Sequence, residues 1–285
     1  AGQAVIKVAS VKNKIICVEA VDSLIFANSF IFTTGGLARP ETGSSGDGFR
    51  WLKKLGHTIT KPNVALVPVK TKELWSHKLQ GLSLSNVKIT QIDARQRSEA
   101  RIGKIIFTHF GLSGPLILNM SQSIGESLRE GATALELDLF PTLDHSELDE
   151  KLREHLSKSQ NKKWANALAG FVSPLLSPVL VEVSGINPTI QVNKIPRVDR
   201  IAFVKKIKAL TLTPTGLLGS EKAVVTSGGV ALEEIDFKTM RSLKIENLFL
   251  AGDILDFDRP SGGFSLQICW STGFVAGENA VQKQK

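Results

Sequence analysis

The chain has 285 residues, 42% of them hydrophobic and 22% charged, with a formal net charge of +8. That composition is ordinary for a soluble globular protein and long enough for one large core or two to three smaller ones. It excludes a helical membrane protein, since no apolar run approaches the ~20 residues that cross a bilayer, and no signal-peptide pattern opens the chain. Cys17 and Cys269 lie far apart in apolar stretches, which predicts two buried thiols in a reducing, cytoplasmic compartment. The basic excess concentrates in Lys151, Arg153, Lys158, Lys162, Lys163, Arg197, Arg200, Lys205, Lys206 and Lys208. Tyrosine is absent and the aromatics do not interleave with these bases, so a solvated helical face is expected. Neither a nucleic acid nor a membrane is expected as a partner.

In chain order, Ala4–Ser10 and Lys14–Ala20 are β-rich runs joined by a turn over residues 11–14, and Ser23–Phe26 predicts a third strand. Phe30-Ile-Phe-Thr-Thr34 is continuous rather than alternating, the pattern of a strand buried on both faces of a parallel sheet, and it runs into Gly35-Gly36. A glycine-rich turn, Gly43-Ser-Ser-Gly-Asp-Gly48, then feeds a helix over residues 49–55, with Asp47 as the expected cap and Gly56 as the residue that ends it. From Pro62 the character changes. Short β-like runs around residues 64–69, 87–92 and 104–107 precede a helix opened by Pro115, and Ala134–Leu139 alternates as a half-buried strand. Residues ~142–210 read as mostly helical, with Leu148, Leu152 and Leu156 at four-residue spacing. Sheet-like sequence returns at Ala223–Val230. The expected organisation is a discontinuous sheet domain, 1–61 and 223–285, interrupted by an inserted β-plus-helical module, 62–222.

The segment most informative about chemistry is residues 248–280. Leu248-Phe-Leu-Ala251 predicts a short buried strand with Gly252 and Asp253 at its carboxyl end, where ligands of open α/β sheets bind. A carboxylate there is placed to accept hydrogen bonds from sugar-type hydroxyls. Gly262 and Gly263 let main chain approach a ligand, and a helix starting near Ser265 presents its N-terminal N–H groups to anionic or carbonyl atoms. Small residues at 271, 272, 273, 276 and 277 are expected to pack that helix tightly on the sheet. Together these features suit a polyhydroxylated, partly anionic cofactor.

The stretches IFTTGG, GSSGDGFRWLKKLGH, THFGLSGPLIL, VTSGGVALEEIDFKTMRS and LFLAGDILDFDRPSGGFSLQICWSTGFVAGENA, in this order and spacing, resemble the BaiN-like, aminoacetone oxidase family of FAD-binding flavoproteins. The resemblance covers nearly the whole chain. It implies an α/β fold (α+β overall): an FAD/NAD(P)-binding sheet domain of the two-dinucleotide type with an inserted domain, part β-barrel-like and part helical, that roofs the flavin ring. It also implies FAD as cofactor, NAD(P)H as the candidate reductant, and a small-molecule substrate. Carried over by position, Thr34, Gly35 and Gly36 match the family's threonine-glycine-glycine turn beside FAD. Gly252 and Asp253 match an acidic strand end near the ribityl and phosphate portion. Gly262, Gly263, Phe264, Ser265 and Gln267 match a Gly-Gly-Tyr-Asn-x-Gln element at the flavin ring.

The chain departs from the family at Phe264 and Ser265, which replace Tyr and Asn, and at Arg259, where a glycine is common. No G-x-G-x-x-G occurs, and Gly43–Gly48 has the wrong spacing for one. With Ala1 as first residue in place of Met, this leads to the expectation of an N-terminally truncated flavoprotein. A non-catalytic binding protein on a degenerate flavoprotein scaffold, or a basic nucleic-acid-binding module, are the alternatives. No residue is assigned a catalytic role. His109 reads as a loop histidine, Ser113 fails the nucleophile-elbow pattern at Pro115, Asp256 and Asp258 read as loop acids, and no His or Cys spacing suits a metal.

Overall fold

The computed structural model describes residues 3–93 and 96–281. The outermost ends of the expected sheet-domain segments, residues 1–2 and 282–285, lie outside them. The chain divides into two compact units, one formed by Ala1–Val67 with Gly219–Lys285, the other by Pro68–Leu218. The mixed α/β class read from the sequence is what is seen.

In the discontinuous unit, Val5–Val11, Lys14–Ala20 and Ser23–Ile25 form an antiparallel meander. Its first turn is tight, with Lys12 at φ 53°. A second sheet runs Ile235–Asp236, Arg241–Ser242, Leu248–Leu250, Phe30–Phe32, and its last pair is parallel, Leu248 opposite Phe30 and Leu250 opposite Phe32. Strand Leu248–Leu250 is buried on both faces, as its unbroken apolar run predicts. Phe30–Phe32 is not: Phe30 and Phe32 are buried, while Ile31 is 40% exposed. It is also the edge strand of this sheet, and its Ile31 face is open. Asn247 ties the meander to the sheet edge, accepting from Ile15 N–H and donating to Ile15 C=O, both at 2.9 Å. The side chain thereby supplies the pairing that a neighbouring strand would give.

Two helices complete this unit. Asp47–Lys54 starts after Gly46 in the left-handed region, with no side-chain cap. Asp47 is thus the first helical residue rather than the expected cap; its carboxylate takes a hydrogen bond from Ser45 and pairs with Arg50. Gly56, at φ 91°, ends the helix as predicted. The second helix, Phe264–Val281, buries Thr272 and Ala276. The expectation that all five of its small residues pack on the sheet does not hold: Ser271 is exposed, and nothing stands within 4 Å of where a Cβ of Gly273 or Gly277 would be. Leu266, Trp270 and Phe274, at four-residue spacing, are exposed.

The Pro68–Leu218 unit is built on a seven-stranded antiparallel sheet in the order Leu210–Leu212, Thr133–Asp138, Ser83–Asp93, Gln96–Thr108, Gly111–Ser113, Val69–Thr71, Pro214–Leu217. Its two end strands are consecutive in the chain, separated by Thr213 alone. The sheet therefore curls round, and its ends are joined by the chain rather than by a ladder, a barrel-like form without full closure. Thr133–Asp138 buries every second residue, as its alternation predicts. Helix Pro115–Glu130 lays Leu116, Ile117, Met120 and Ile124 into the core.

In the helical part, His145–Ser157 opens on a capping box between Asp144 and Glu147 and buries Leu148, Leu152 and Leu156. Buried Trp164 meets Phe203 of helix Arg197–Ile207 edge-on at 5.2 Å and donates its indole N–H to Ser184 of helix Leu176–Ser184. Not all of the basic excess is solvated. Lys208 is nearly buried, pairing with Asp138 at 2.8 Å and donating to the carbonyls of Phe140 and Leu143. No described helix is long and apolar enough to cross a membrane.

Candidate functional site

The parallel pair Phe30–Phe32 and Leu248–Leu250 delivers two chain segments to one sheet end, Thr34-Gly35-Gly36 from the first strand and Gly252-Asp253 from the second. They meet on Thr226, which is buried in strand Val225–Val230. Thr226 Oγ1 accepts from Leu37 N–H at 2.6 Å and Ala38 N–H at 3.2 Å, while Thr226 N–H donates to Asp253 Oδ2 at 3.1 Å. A Cβ on Gly36 would overlap the Thr226 side chain, so the second glycine of the turn is required by this internal contact. Gly35 sits at φ 68°, a backbone conformation that favours glycine.

Thr226→Val keeps the shape but leaves two N–H groups without an acceptor. The variant is expected to lose about 2 kcal/mol of stability, read from denaturant unfolding, with Thr226→Ser restoring most of it.

Gly252, at φ 80°, donates its N–H to Thr272 Oγ1 at 3.0 Å, which fixes helix Phe264–Val281 against the strand end. Asp253 Oδ1 faces Arg259, whose side chain is only 2% exposed, and the two form an ion pair. Burial pushes the Arg259 guanidinium down from its ordinary value, with Cys269 opposing. Arg259 Nη1 also donates to Phe257 C=O at 3.3 Å.

Two buried side-chain atoms have no partner among the described residues, Thr34 Oγ1 and Arg259 Nε, while Asp253 Oδ1 and Arg259 Nη2 have only each other, in the ion pair. All four belong to this one sheet end. Buried polar groups are ordinarily satisfied, which leaves Thr34 Oγ1 and Arg259 Nε as the atoms here able to take a polar partner.

Gly262, Gly263, Phe264 and Gln267 are exposed, and Ser265 is half-buried, at the start of the C-terminal helix. Gln267 donates to Ser271 Oγ at 3.1 Å, and no hydrogen bond joins these five residues to Thr34 or Asp253 among the described residues. Gly262 (φ 112°) and Gly263 (φ 91°) are open, with no atom within 4 Å of where a Cβ on Gly263 would stand. The predicted residues therefore fall into two groups: a strand-end group gathered around Thr226, and an open helix-start group linked to it by the loop that carries Arg259.

His109 lies in an exposed turn with its ring edge-on to Phe110, and Ser113 ends a short strand. Asp256 donates its backbone N–H to Val230 C=O, while Asp258 is exposed. Cys17 and Cys269 are free thiols. They are half-buried rather than fully buried as expected. No three His, Cys, Asp or Glu side chains gather as a metal-ligand set among the described residues.

Sequence reasoning passed over Thr226 and noted Arg259 only as a departure. Thr226 hydrogen-bonds Leu37, 189 positions away, and no local pattern signals that distance. Arg259 could have been found from its position, a charged residue inside a glycine-rich ligand-type loop.

Residues 63–225, more than half of the chain, match the family described as HI0933-like protein barrel and H2TH domain. The chain belongs to this family. This HI0933-like chain is 28% identical over 258 residues to the 3-dehydro-bile acid delta(4,6)-reductase of Clostridium scindens, an alignment covering 90% of the chain and 63% of that protein. It is 26% identical to the ribosomal RNA dihydrouridine synthase of Escherichia coli, with 88% and 60% covered. To the protein of the same name from Haemophilus influenzae it is 28% identical, with 87% and 59% covered. The HI0933-like chain thus spans about three-fifths of the length of these relatives. The residues present fit a flavin dinucleotide: Thr34 Oγ1, Arg259 Nε and the Asp253 carboxylate at the strand ends suit hydroxyls and phosphate, and the open glycine pair leaves room at a helix start.

Proposed function

We propose that this chain is the flavin-holding and insert part of an FAD-dependent oxidoreductase that reduces a carbon–carbon double bond conjugated to a carbonyl in a small organic substrate. The observation that carries the reading is the polar group at the carboxyl ends of the parallel strands: Thr34 Oγ1 and Arg259 Nε, buried without a partner among the described residues, beside the Asp253–Arg259 ion pair. The relatives' names support the reaction class. A delta(4,6)-reductase of a 3-dehydro acid and an enzyme that makes dihydrouridine both add hydrogen across a double bond conjugated to a carbonyl.

When bound, the flavin supplies the two-electron hydride chemistry, recharged by a nicotinamide nucleotide. The chain's own residues hold and orient. Asp253 accepts from ligand hydroxyls, and Thr34 Oγ1 donates beside it. Gly262 and Gly263 keep side chains out of the way of the backbone N–H groups at the start of helix Phe264–Val281. Those groups and the helix dipole favour negative charge there. Ser265 and Gln267 stand in the first turn of that helix as its polar side chains.

The test is titration of the purified chain with FAD, followed by flavin fluorescence. Saturable binding is expected, weakened at least tenfold by Asp253→Asn, which removes a charge-assisted hydrogen bond. A chain that leaves flavin fluorescence unchanged up to millimolar FAD contradicts the proposal and favours a non-catalytic scaffold.

A second reading, an RNA-borne pyrimidine as substrate, is favoured by one surface feature. Lys162, Lys163, Lys194 and Arg197 are exposed and without ion-pair partners among the described residues. Residues 160–163 hydrogen-bond to residues 191–193, which brings these bases to one side of the helical part. RNA retention that falls steeply with salt supports that reading, and retention independent of salt removes it.

A further inference from the structure

Arg259 stands where the resembled family commonly has a glycine. A guanidinium carries five N–H donors and keeps its charge when buried, so it needs several oxygen partners. Here it has two: the Asp253 carboxylate, and Phe257 C=O through Nη1. Nε has none, and Nη2 has only Asp253 Oδ1, in the ion pair. A buried arginine left this incompletely paired is costly, whereas a phosphate engages Nε and Nη2 together in the two-pronged geometry that arginine prefers. The same residue sits on the loop leading to Gly262, Gly263 and the N-terminus of an 18-residue helix, an environment that favours anions. Asp253 alone would repel a phosphate at this place.

The geometry points to Arg259 as the residue that makes this site select a phosphate-bearing ligand over an uncharged one. Its guanidinium caps the Asp253 carboxylate, and a ligand hydroxyl that takes over Asp253 Oδ1 frees it for the ligand's phosphate. The inference rests on the flavin-holding reading above for the rest of the ligand, but its own content is the recognition of a phosphorylated polyol.

Binding of riboflavin, FMN and ADP-ribose to the full chain separates the two. The first pair differ by one phosphate, and the third carries phosphates without a flavin ring. By fluorescence and calorimetry, the wild-type chain is expected to prefer FMN to riboflavin at least tenfold. Arg259→Gln should erase that preference by weakening FMN alone, and Arg259→Lys should retain part of it. Equal weakening of both ligands by Arg259→Gln would make Arg259 merely structural and overturn the inference, as would unchanged binding of both; in either case the flavin reading survives. Arg259-dependent binding of ADP-ribose with no flavin binding upholds the inference and removes the flavin reading. Failure of the wild-type chain to bind any of the three overturns both. If Arg259→Gln alone does not fold, the double variant Asp253→Asn/Arg259→Gln removes both buried charges together. It is expected to bind FMN and riboflavin equally, and a retained preference for FMN would sink the assignment.

Discussion

Replacing Glu234 by alanine is expected to destabilise the sheet-containing unit by about 3 kcal/mol, the cost of leaving buried polar partners uncompensated. Glu234 is the centre of a four-residue knot. Its Oε2 pairs with His57 Nδ1 at 2.7 Å, its Oε1 with Lys244 at 2.6 Å, and both oxygens accept from Thr58 N–H. On the far side of the ring, His57 Nε2 meets Ser242 Oγ at 2.9 Å, and that hydroxyl also accepts from Ile245 and Lys244 N–H. Lys244 donates in turn to Gly56 C=O. The knot therefore joins the end of helix Asp47–Lys54 to the two chain segments at the open end of the hairpin Ile235–Asp236/Arg241–Ser242. Glu, His and Ser in hydrogen-bonded series have the connectivity of a hydrolytic triad, but Ser242 is buried and its hydroxyl already serves two backbone N–H groups, so the arrangement is structural.

The same knot sets a pH dependence. Burial alone would raise the Glu234 carboxyl, but the hydrogen bonds from Lys244, Thr58 and His57 outweigh it and hold the group at about 2, against an ordinary 4.5. Burial likewise lowers His57 below its ordinary 6.5, only partly offset by Glu234. Both groups bind fewer protons folded than unfolded over these windows, so both favour folding at higher pH. His57 begins to cost stability as pH falls below 6.5. Glu234's contribution is complete above 4.5 and is lost as pH falls through 4.5 towards 2. Urea titrations at pH 7, 5.5 and 4 should therefore show stability falling in two stages. Glu234→Gln should shrink the lower stage to what Asp149 and Asp236, also held below their ordinary values, contribute, and keep the upper one; identical pH profiles for the two proteins would remove Glu234 as the cause.

What the sequence made legible was local. The alternation of residues 134–139, the leucines at 148, 152 and 156, the unbroken apolar run before Gly252 and the glycine at 56 each report a period or a backbone need that neighbouring residues share. What it hid was long-range pairing. His57 and Glu234 are 177 positions apart, Thr226 and Leu37 are 189 apart, and Lys208 reaches Asp138 across 70. Each is an ordinary residue in its own neighbourhood, and only the sheet order brings its partner near. The edge position of Phe30–Phe32 was hidden for the same reason, since its apolar run matches that of a central strand while its place in the sheet depends on which strands pair beside it. The strand-end half of the site was readable because it rests on strands ending in glycine and acid. Arg259 was readable only as an oddity, because the charge that neutralises it comes from six residues upstream through a loop whose course no periodicity predicts.

Among the glycines, Gly229 is expected to show the second large effect. Gly229→Ala should destabilise the chain by about 4 kcal/mol, combining an overpacking cost of ~1–3 kcal/mol with a backbone-conformation cost of ~1–3 kcal/mol. Gly229 holds φ 146°, and a Cβ there would stand 2.7 Å from Ile254 O, 2.9 Å from Leu255 C and 3.0 Å from Asp256 N. These are backbone atoms and cannot rotate away. They are also the atoms that pair Val230 with the segment after Asp253, through Val230 N–H to Ile254 O and Asp256 N–H to Val230 O. The added methyl therefore pushes on the loop that runs from Asp253 to Arg259, and ligand binding should weaken with stability. Gly273→Ala is the matching control. That residue lies within helix Phe264–Val281 with open space where the methyl would go, so the change should stabilise by ~0.5–1 kcal/mol through helix propensity alone. Opposite signs for the two substitutions in one denaturation series would separate a glycine needed for close backbone approach from one that is merely tolerated. A Gly229→Ala chain as stable as wild type would show that the strand Val225–Val230 does not hold the Asp253 loop in the way described.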